Sequence, residues 1–150
     1  MEKIISYPIS VVFYFFLSIC LFIFHPIQWV CYNCFGYQAH KKSVDVLNWF
    51  LLRCANILGT TFSVKNAEVI PNNKPIIYVS NHQSMFDIIS IIWFLRKSHP
   101  KFVSKKELGS GIPSVSFNLK HGGSVLIDRK DPKQALPTIK GMAEYIQKFN

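Results

Sequence analysis

The chain carries no charged residue from Ile4 to Phe24, and this apolar run constrains the fold more than any other feature. A helix rises about 1.5 Å per residue, so this run would form a helix about as long as a bilayer's hydrocarbon is thick. A cleaved signal peptide is the rival interpretation, but its apolar core usually has only about 7–15 residues and ends at a small-x-small cleavage site. No such site follows the run. We therefore expect the segment to enter a membrane.

Aromatic residues cluster towards the ends of this stretch, as amphipathic rings do at the depth of lipid headgroups. They are Tyr7, Tyr14, Trp29, Tyr32 and Tyr37, and Lys41 and Lys42 follow them. The pattern leaves open whether the helix spans the bilayer or only dips into it.

Residues 43–59 then repeat apolar side chains at near-helical spacing, with Ser43 as a plausible cap and Gly59 as a stop. This spacing predicts a second helix, which packs on the first or lies on the membrane.

All the cysteines lie in this apolar third of the chain, where a thiol behaves as a small hydrophobic group. They are Cys20, Cys31, Cys34 and Cys54. Cys31 and Cys34 have the spacing of metal ligands, but a zinc site needs about four ligands, and no second Cys/His pair follows at a suitable distance. We therefore expect reduced, structural cysteines and no metal.

Beyond residue 60 the pattern changes to short β-rich runs that alternate with helices. The predicted strands are Thr61–Lys65, Pro75–Ser80, Lys101–Ser104 and Ser124–Asp128, and the predicted helices are Ile88–Leu95 and Lys133–Phe149, the latter starting at Asp131-Pro132. This alternation predicts an α/β fold in which an N-terminal pair of membrane helices precedes a β-sheet flanked by helices. We expect residues 1–60 to form the membrane-associated part and residues 61–150 to form a second region.

The net charge of +9 is concentrated in the second half of the chain. Residues 96–150 hold eleven Lys or Arg and four Asp or Glu, which makes +7 there. A basic region suits nucleic acid, a phospholipid surface or a phosphate-bearing substrate, and a solvated surface would have the same composition. We do not expect nucleic acid as a partner, because the aromatic residues lie mainly in the membrane segment rather than among the basic ones.

The stretch from Pro75 to Asp87 is typical of an apolar strand that runs into a polar turn and then into a helix. Functional sites in α/β proteins favour such strand ends. A turn of this kind can bring His82 and Asp87 together, so that Asp87 accepts the Nδ1 proton and Nε2 is free to act as a base. Alternatively, Ser84 and Asp87 form a capping-box pattern in which Asp87 only satisfies backbone N–H groups. The spacing by itself leaves both interpretations open.

Two blocks of the sequence resemble those of one family, the glycerolipid acyltransferases. Residues 81–87, NHQSMFD, are similar to the N-H-Q-S-x-x-D block in which the family's catalytic His and Asp lie, and residues 123–129, GSVLIDR, are similar to its G-x-x-x-I-D-R segment. Between them, residues 105–108, KKEL, followed by Ile112-Pro113, resemble the family's lysine-bearing strand end and proline turn. The resemblance is greatest to the 1-acyl-sn-glycerol-3-phosphate acyltransferase branch.

This resemblance implies transfer of an acyl group from acyl-CoA or acyl carrier protein to the hydroxyl of lysophosphatidic acid, which gives phosphatidic acid without a cofactor. His82 would be the base, Asp87 its partner and Arg129 the ligand of the acceptor phosphate. Further substrate-binding residues implied by the resemblance are Lys105, Asn81, Ser84 and Gly123. The partners would be membrane phospholipid and these substrates, with the active site on the cytoplasmic side of the membrane.

Two other functions fit the same residues. The acceptor could be another lysolipid or a lipid A precursor, or the chain could be an inactive membrane-anchored fragment that binds anionic lipid. The resemblance covers roughly residues 60–149, and the family then continues with an F-P-E-G-T-R block that does not occur in this chain. We therefore expect residues 61–150 to be the N-terminal part of an acyltransferase domain that is truncated at its C-terminus.

Overall fold

The long apolar run forms the first helix, which is longer than the sequence predicts. A computed structural model describes residues 2–70, 76–142 and 144, and in it helix α1 spans Glu2–Phe35. Pro8 and Pro26 lie inside α1, where each removes a backbone N–H donor without ending the helix. Among the described residues, the segment Ser6–Phe35 is the one helix long and apolar enough to cross a membrane, and few of its residues are buried.

A second helix, α2, spans Tyr37–Ile57 and packs along α1. Gly36 separates the two helices with a φ of +81°, a conformation that glycine adopts without the steric cost of a Cβ atom. The apolar side chains that α2 buries are Val44, Leu47, Leu51, Leu52, Cys54 and Ala55. The two helices therefore form an antiparallel hairpin whose seam is largely apolar, with Gln28, His40 and Asn48 also buried.

The predicted second helix is confirmed, but its predicted start is wrong. Ser43 is not a cap, because it is buried within α2 and its hydroxyl donates a hydrogen bond of 2.6 Å to the carbonyl of His40. The helix begins six residues earlier because Gly36, rather than Ser43, provides the break after α1. The predicted stop is confirmed, since Gly59 follows the end of α2 with a φ of +77°.

The rest of the chain builds a small α/β unit on this hairpin. Its elements are helix α3 (Asp87–Phe94), strand β1 (Val103–Lys105), helix α4 (Val115–His121), strand β2 (Val125–Ile127) and helix α5 (Pro132–Lys140), with short 3₁₀ helices at Ala67–Val69 and Lys106–Gly109. Strands β1 and β2 pair in parallel, with Val103 opposite Val125 and Lys105 opposite Ile127. Helix α3 packs on α2, α4 packs on α1 and β2, and α5 packs on β2. The predicted α/β class is confirmed.

Two of the predicted strands are wrong. Residues 61–65 and 76–80 form no strand in the described part of the chain, and Pro75 lies outside it. A strand needs a neighbour that accepts and donates its backbone hydrogen bonds, and no described segment pairs with either run. Ile77 is 90% exposed and Val79 is 91% exposed, so these apolar side chains of the second run are not buried.

The other predicted elements are confirmed with shifted ends. Helix α3 begins one residue before the predicted start, and β1 and β2 lie at the predicted strands. Helix α5 begins at Pro132, after Asp131 accepts the backbone N–H groups of Lys133 and Gln134. Residue 143 and residues 145–149 of the predicted last helix lie outside the described part. Helix α4 was not predicted, because its seven residues are too few and too polar for a helical repeat to be visible.

Ser114 fixes the start of α4 to the middle of α1. This fully buried residue has a φ of +60°, which is rare for a residue other than glycine, asparagine or aspartate. Its hydroxyl donates to the carbonyl of Leu21 at 2.7 Å, and its backbone N–H donates to Nδ1 of His25 at 3.1 Å. Farther along α1, the ring centroids of Tyr32 and His121 lie 4.8 Å apart. The α/β unit is thus held against α1 as well as α2.

Candidate active site

The turn before α3 brings His82 and Asp87 into contact. Nδ1 of His82 lies 3.3 Å from Oδ2 of Asp87, although the two residues are five apart and a regular helix would put them on different faces. The chain turns at Met85 and Phe86 and enters α3 at Asp87. In this arrangement Asp87 orients the imidazole through Nδ1, and Nε2 forms no hydrogen bond within the described part of the chain.

The same carboxylate oxygen also caps the turn. Oδ2 of Asp87 accepts the backbone N–H groups of Gln83 and Ser84, each at 2.9 Å. These hydrogen bonds, first that from Ser84 and then that from Gln83, lower the pKa of Asp87 below its ordinary value, and the contact with His82 acts in the same direction. Asp87 therefore remains ionised through the physiological range.

The pair lies open to solvent. The side chain of His82 is 56% exposed and that of Asp87 is 36% exposed. Of the other predicted substrate-binding residues in this turn, Asn81 is exposed and makes no hydrogen bond to another described residue. Ser84 is exposed, and its hydroxyl accepts the backbone N–H of Phe86 at 3.3 Å. The imidazole is thus accessible to a reacting group rather than buried.

Lys105 and Arg129 lie outside the turn of residues 81–87, at the end of β1 and just after β2. No hydrogen bond or ion pair joins either of them to residues 81–87 in the described chain. Both are exposed, and Lys105 Nζ lies 3.8 Å from Glu107 Oε1. Arg129 has no ion pair with the two nearby aspartates of the described region. Asp128 accepts the backbone N–H of Lys130, and Asp131 caps α5.

The parallel register brings Lys105 and Arg129 to the same end of the sheet. Lys105 ends β1 and is paired with Ile127, which ends β2 only two residues before Arg129. Paired strands lie about 4.8 Å apart and rise about 3.3 Å per residue. Lys105 and Arg129 therefore both lie near the carboxyl ends of the two strands.

Gly123 lies next to Lys101, a half-buried lysine, rather than next to His82. It is buried, with a φ of +84°, and a Cβ atom added there would lie 3.2 Å from Cε and Nζ of Lys101. Glycine is required here for the turn into β2 and for the close approach of Lys101. The structure thus gives Gly123 a role in the backbone turn, and its predicted substrate contact stays a prediction.

No sequence pattern indicated the network around Lys101. Its ammonium group donates to the hydroxyl of Tyr37 and to the carbonyl of Gly122, the latter at 3.0 Å, and contacts the ring of His99. Burial lowers the pKa of Lys101 to about 7, and the charge of Lys41 adds to this effect. The network ties the start of α2 to β1 and to the turn before β2. Because its members are up to 85 residues apart, no local pattern predicts it.

One cavity of the described structure includes no residue of the His82–Asp87 turn. It is an open cleft of about 340 Å³ between α4, β2 and α5, lined by Leu119, Lys120, Ser124, Val125, Leu126, Thr138 and Gly141.

The cysteines are free, and Sγ of Cys20 lies 3.9 Å from that of Cys54 across the α1–α2 seam. Within the described ranges, no group of three or more His, Cys, Asp or Glu side chains could hold a metal ion.

Comparison with known proteins gives a consistent result. The model of the Acyltransferase family matches residues 61–149, more than half of the chain. Over 69 residues the chain is 41% identical to a 1-acyl-sn-glycerol-3-phosphate acyltransferase of Helicobacter pylori (44% of this chain, 27% of the relative). Over 70 residues it is 36% identical to an enzyme of the same name from Chlamydomonas reinhardtii (47% and 20%).

A longer alignment extends the similarity to a mammalian protein. The chain is 28% identical over 104 residues to the sheep 1-acyl-sn-glycerol-3-phosphate acyltransferase alpha. This alignment covers 69% of this chain and 35% of the relative. The chain thus spans about a fifth to a third of the length of these three relatives. No solved structure matches it at a significant level.

Proposed function

The chain belongs to the Acyltransferase family, and we propose that its protein transfers an acyl group from an acyl thioester to the hydroxyl of 1-acyl-sn-glycerol 3-phosphate, forming phosphatidic acid. The relatives that carry this activity in their names support the choice of acceptor. The observation on which the proposal depends is the contact of 3.3 Å between His82 Nδ1 and Asp87 Oδ2 on a turn open to solvent.

In this reaction His82 is the general base. An alcohol attacks a thioester poorly until its proton is removed, so Nε2 takes the proton as the hydroxyl oxygen forms its bond to the acyl carbon. The carbon–sulfur bond then breaks, and the imidazolium returns the proton to the leaving thiolate. Asp87 holds the productive tautomer and stabilises the imidazolium. The acceptor hydroxyl takes the part that a serine takes in hydrolases, so no covalent acyl-enzyme is needed.

Lys105 and Arg129 are our candidates for binding the acceptor's phosphate. They leave the carboxyl ends of adjacent parallel strands, where two cationic side chains can converge on one phosphate. A guanidinium group donates two parallel hydrogen bonds to phosphate, whereas an ammonium acts as a point charge. The exposed ion pair of Lys105 with Glu107 is worth little in water, so it competes weakly with a phosphate.

Acyl-CoA or acyl carrier protein is the donor in this proposal, and no further cofactor takes part because the thioester already activates the acyl group. We place the active site on the cytoplasmic side of the membrane in this proposal. Asn81 and Ser84, which flank His82 on the exposed turn, are positioned to contact the substrates as they approach.

We propose further that α1 lies in the plane of the membrane surface rather than across the bilayer. Its contacts with the α/β unit run from Phe13, beside Phe86, to Tyr32, beside His121. The two residues are nineteen positions apart, which corresponds to about 28 Å along the helix axis. If α1 crossed the hydrocarbon, the charged α/β unit beside it would be drawn into the lipid at a high free-energy cost. An apolar face resting in the interface avoids this cost.

The test is acyl transfer by the protein expressed from its complete reading frame, in phospholipid vesicles with lysophosphatidic acid and acyl-CoA or acyl carrier protein thioester. We expect phosphatidic acid, and we expect His82→Ala to lower kcat on the order of 10²–10⁴-fold, the usual contribution of general base catalysis. Gln83→Ala is the matched control, because it alters the same exposed turn while keeping the backbone N–H that Asp87 accepts.

The outcome distinguishes the alternatives. Turnover that survives His82→Ala would remove the proposed mechanism while leaving the family assignment intact. Turnover with another lysolipid or a lipid A precursor, and none with lysophosphatidic acid, would change the acceptor. Binding to anionic vesicles without any turnover would favour a lipid-binding role.

A further inference from the structure

Phe13 is buried in a part of α1 that is otherwise exposed. Its side chain is 1% exposed, whereas its neighbours Val12, Tyr14 and Phe15 are 44%, 59% and 61% exposed. A helix whose apolar side chains face outward on most sides buries one of them only where another element covers it. The burial of Phe13 therefore marks a specific contact between α1 and the rest of the protein.

That contact is with the turn that contains the His82–Asp87 pair. The rings of Phe13 and Phe86 lie 5.3 Å apart between centroids, with their planes at 80°, an edge-to-face arrangement that is favoured between aromatic side chains. Phe86 immediately precedes Asp87. Its backbone N–H donates to the hydroxyl of Ser84, and its carbonyl accepts the N–H of Ile89. Phe86 is thus an integral part of the turn.

Apart from α3, which follows the turn and packs on α2, this turn has little to hold it. Residues 81–85 are exposed, and the turn's own hydrogen bonds join residues no more than four positions apart. Such short-range bonds shape a turn but do not place it relative to the rest of the fold. The ring of Phe86 is only partly exposed, and Phe13 reaches it from 73 positions away in the sequence.

We infer that Phe13 is a positioning residue, which holds the His82–Asp87 pair in its reactive geometry through the ring of Phe86. The inference rests on the proposed function and adds to it a link between the membrane-associated helix and the base. Displacement of α1 removes the support of Phe86 and lets the turn sample geometries in which Asp87 no longer orients the imidazole. Small misplacements of reacting groups cost large factors in rate, up to about 100-fold for about 1 Å.

The test compares Phe13→Ala with Phe24→Ala in the protein expressed from its complete reading frame, in phospholipid vesicles. Phe24 lies on the same helix, and its ring contacts Phe50 of α2 at 5.7 Å, so its removal weakens the hairpin without touching the turn. We expect Phe13→Ala to lower kcat about tenfold or more while the KM for acyl-CoA changes by less than about twofold, since only alignment is lost. Phe24→Ala should keep kcat within about twofold of the wild type.

A double-mutant cycle shows whether Phe13 acts through Phe86. We expect Phe86→Ala and the double variant Phe13→Ala/Phe86→Ala to lose about as much kcat as Phe13→Ala alone, because each removes the same contact. Losses that multiply, or a Phe13→Ala enzyme that matches the Phe24→Ala control, would overturn the inference. If Phe13→Ala does not fold, Phe13→Leu, which keeps most of the apolar volume but removes the ring, enters the same comparison.

A spectroscopic measurement separates this inference from the proposed function. In ¹⁵N-histidine-labelled protein, NMR reports which nitrogen of His82 carries the proton, whether or not the protein turns over substrate. We expect the wild type and Phe24→Ala to show a defined Nδ1–H tautomer and Phe13→Ala to show a mixture. An unchanged His82 spectrum in Phe13→Ala would overturn the inference even if acyl transfer is demonstrated. Absence of turnover in the wild type would instead overturn the proposed function.

Discussion

At the scale of single residues, Asp87 combines two roles that the sequence presents as alternatives. Its Oδ2 atom accepts two backbone N–H groups of the turn and also lies 3.3 Å from Nδ1 of His82. The backbone hydrogen bonds keep the carboxylate ionised, because they lower its pKa, and an ionised carboxylate is what stabilises an imidazolium. Capping and orientation of the base are therefore compatible in one side chain.

The charge of Asp87 can be separated from its shape by the substitution Asp87→Asn. The amide oxygen can still accept the N–H groups of Gln83 and Ser84, so we expect the helical content by circular dichroism to remain unchanged. The imidazole loses its anionic partner and its preferred tautomer, and kcat should fall on the order of 10³–10⁴-fold, as when the corresponding aspartate of a catalytic triad is replaced. A loss below about tenfold would show that Asp87 acts as a cap alone.

At the scale of secondary-structure elements, a buried histidine lies where α1, α2 and α4 meet. His40 of α2 is 1% exposed, and its ring packs edge-on against Tyr32 of α1 and Phe117 of α4. Its two ring nitrogens have no hydrogen-bond partner within the described part of the chain. Burial lowers the pKa of His40 to about 4, and the charges of His121 and Lys101 act in the same direction.

The low pKa of His40 predicts an acid-sensitive junction. The unfolded chain binds a proton at this residue below about pH 6.5, whereas the folded protein does not until about pH 4, so folding stability falls as the pH is lowered between these values. The full effect is on the order of 3 kcal/mol. In His40→Phe most of this fall should be absent from denaturant unfolding curves measured in detergent between pH 7 and pH 4. An equal fall in both proteins would show that other groups cause it.

At the scale of the whole molecule, α1 has two faces with different surroundings. One face contacts α2, α4 and the turn that contains His82. The other exposes large apolar side chains, among them Val11, Phe15, Phe22 and Ile23, which are 54–67% exposed. A helix with one face against protein and one apolar face towards the outside suits the boundary between a protein and a lipid surface.

Chemical labelling tests this placement. We expect both ends of α1 to be on the same side of sealed vesicles, because the helix lies in the interface. A protein with Tyr7→Cys and a second with only the native Cys34 report the two ends, once the remaining cysteines are replaced by alanine. Both side chains are exposed in the structure, so a membrane-impermeant maleimide should label both proteins or neither. Labelling of only one of them would indicate a helix that crosses the bilayer.

Local sequence determined the features that depend on neighbours along the chain. The apolar run predicts α1 from its local composition alone, without information on what packs against it. The apolar repeats and turn residues predict most of α2, α3, β2 and the start of α5. The spacing of residues 81–87 leaves the His82–Asp87 contact open, and the resemblance of this block to the family's motif predicts it.

Tertiary structure decided whatever depends on distant parts of the chain. Residues 61–65 and 76–80 have the composition of strands but form none in the described chain, because a strand exists only beside a partner. The ring of Phe13 on Phe86, the ammonium of Lys101 on Tyr37 and the burial of His40 all join residues that the folding topology brings together. Packing of this kind is set by three-dimensional proximity, which a one-dimensional pattern does not encode.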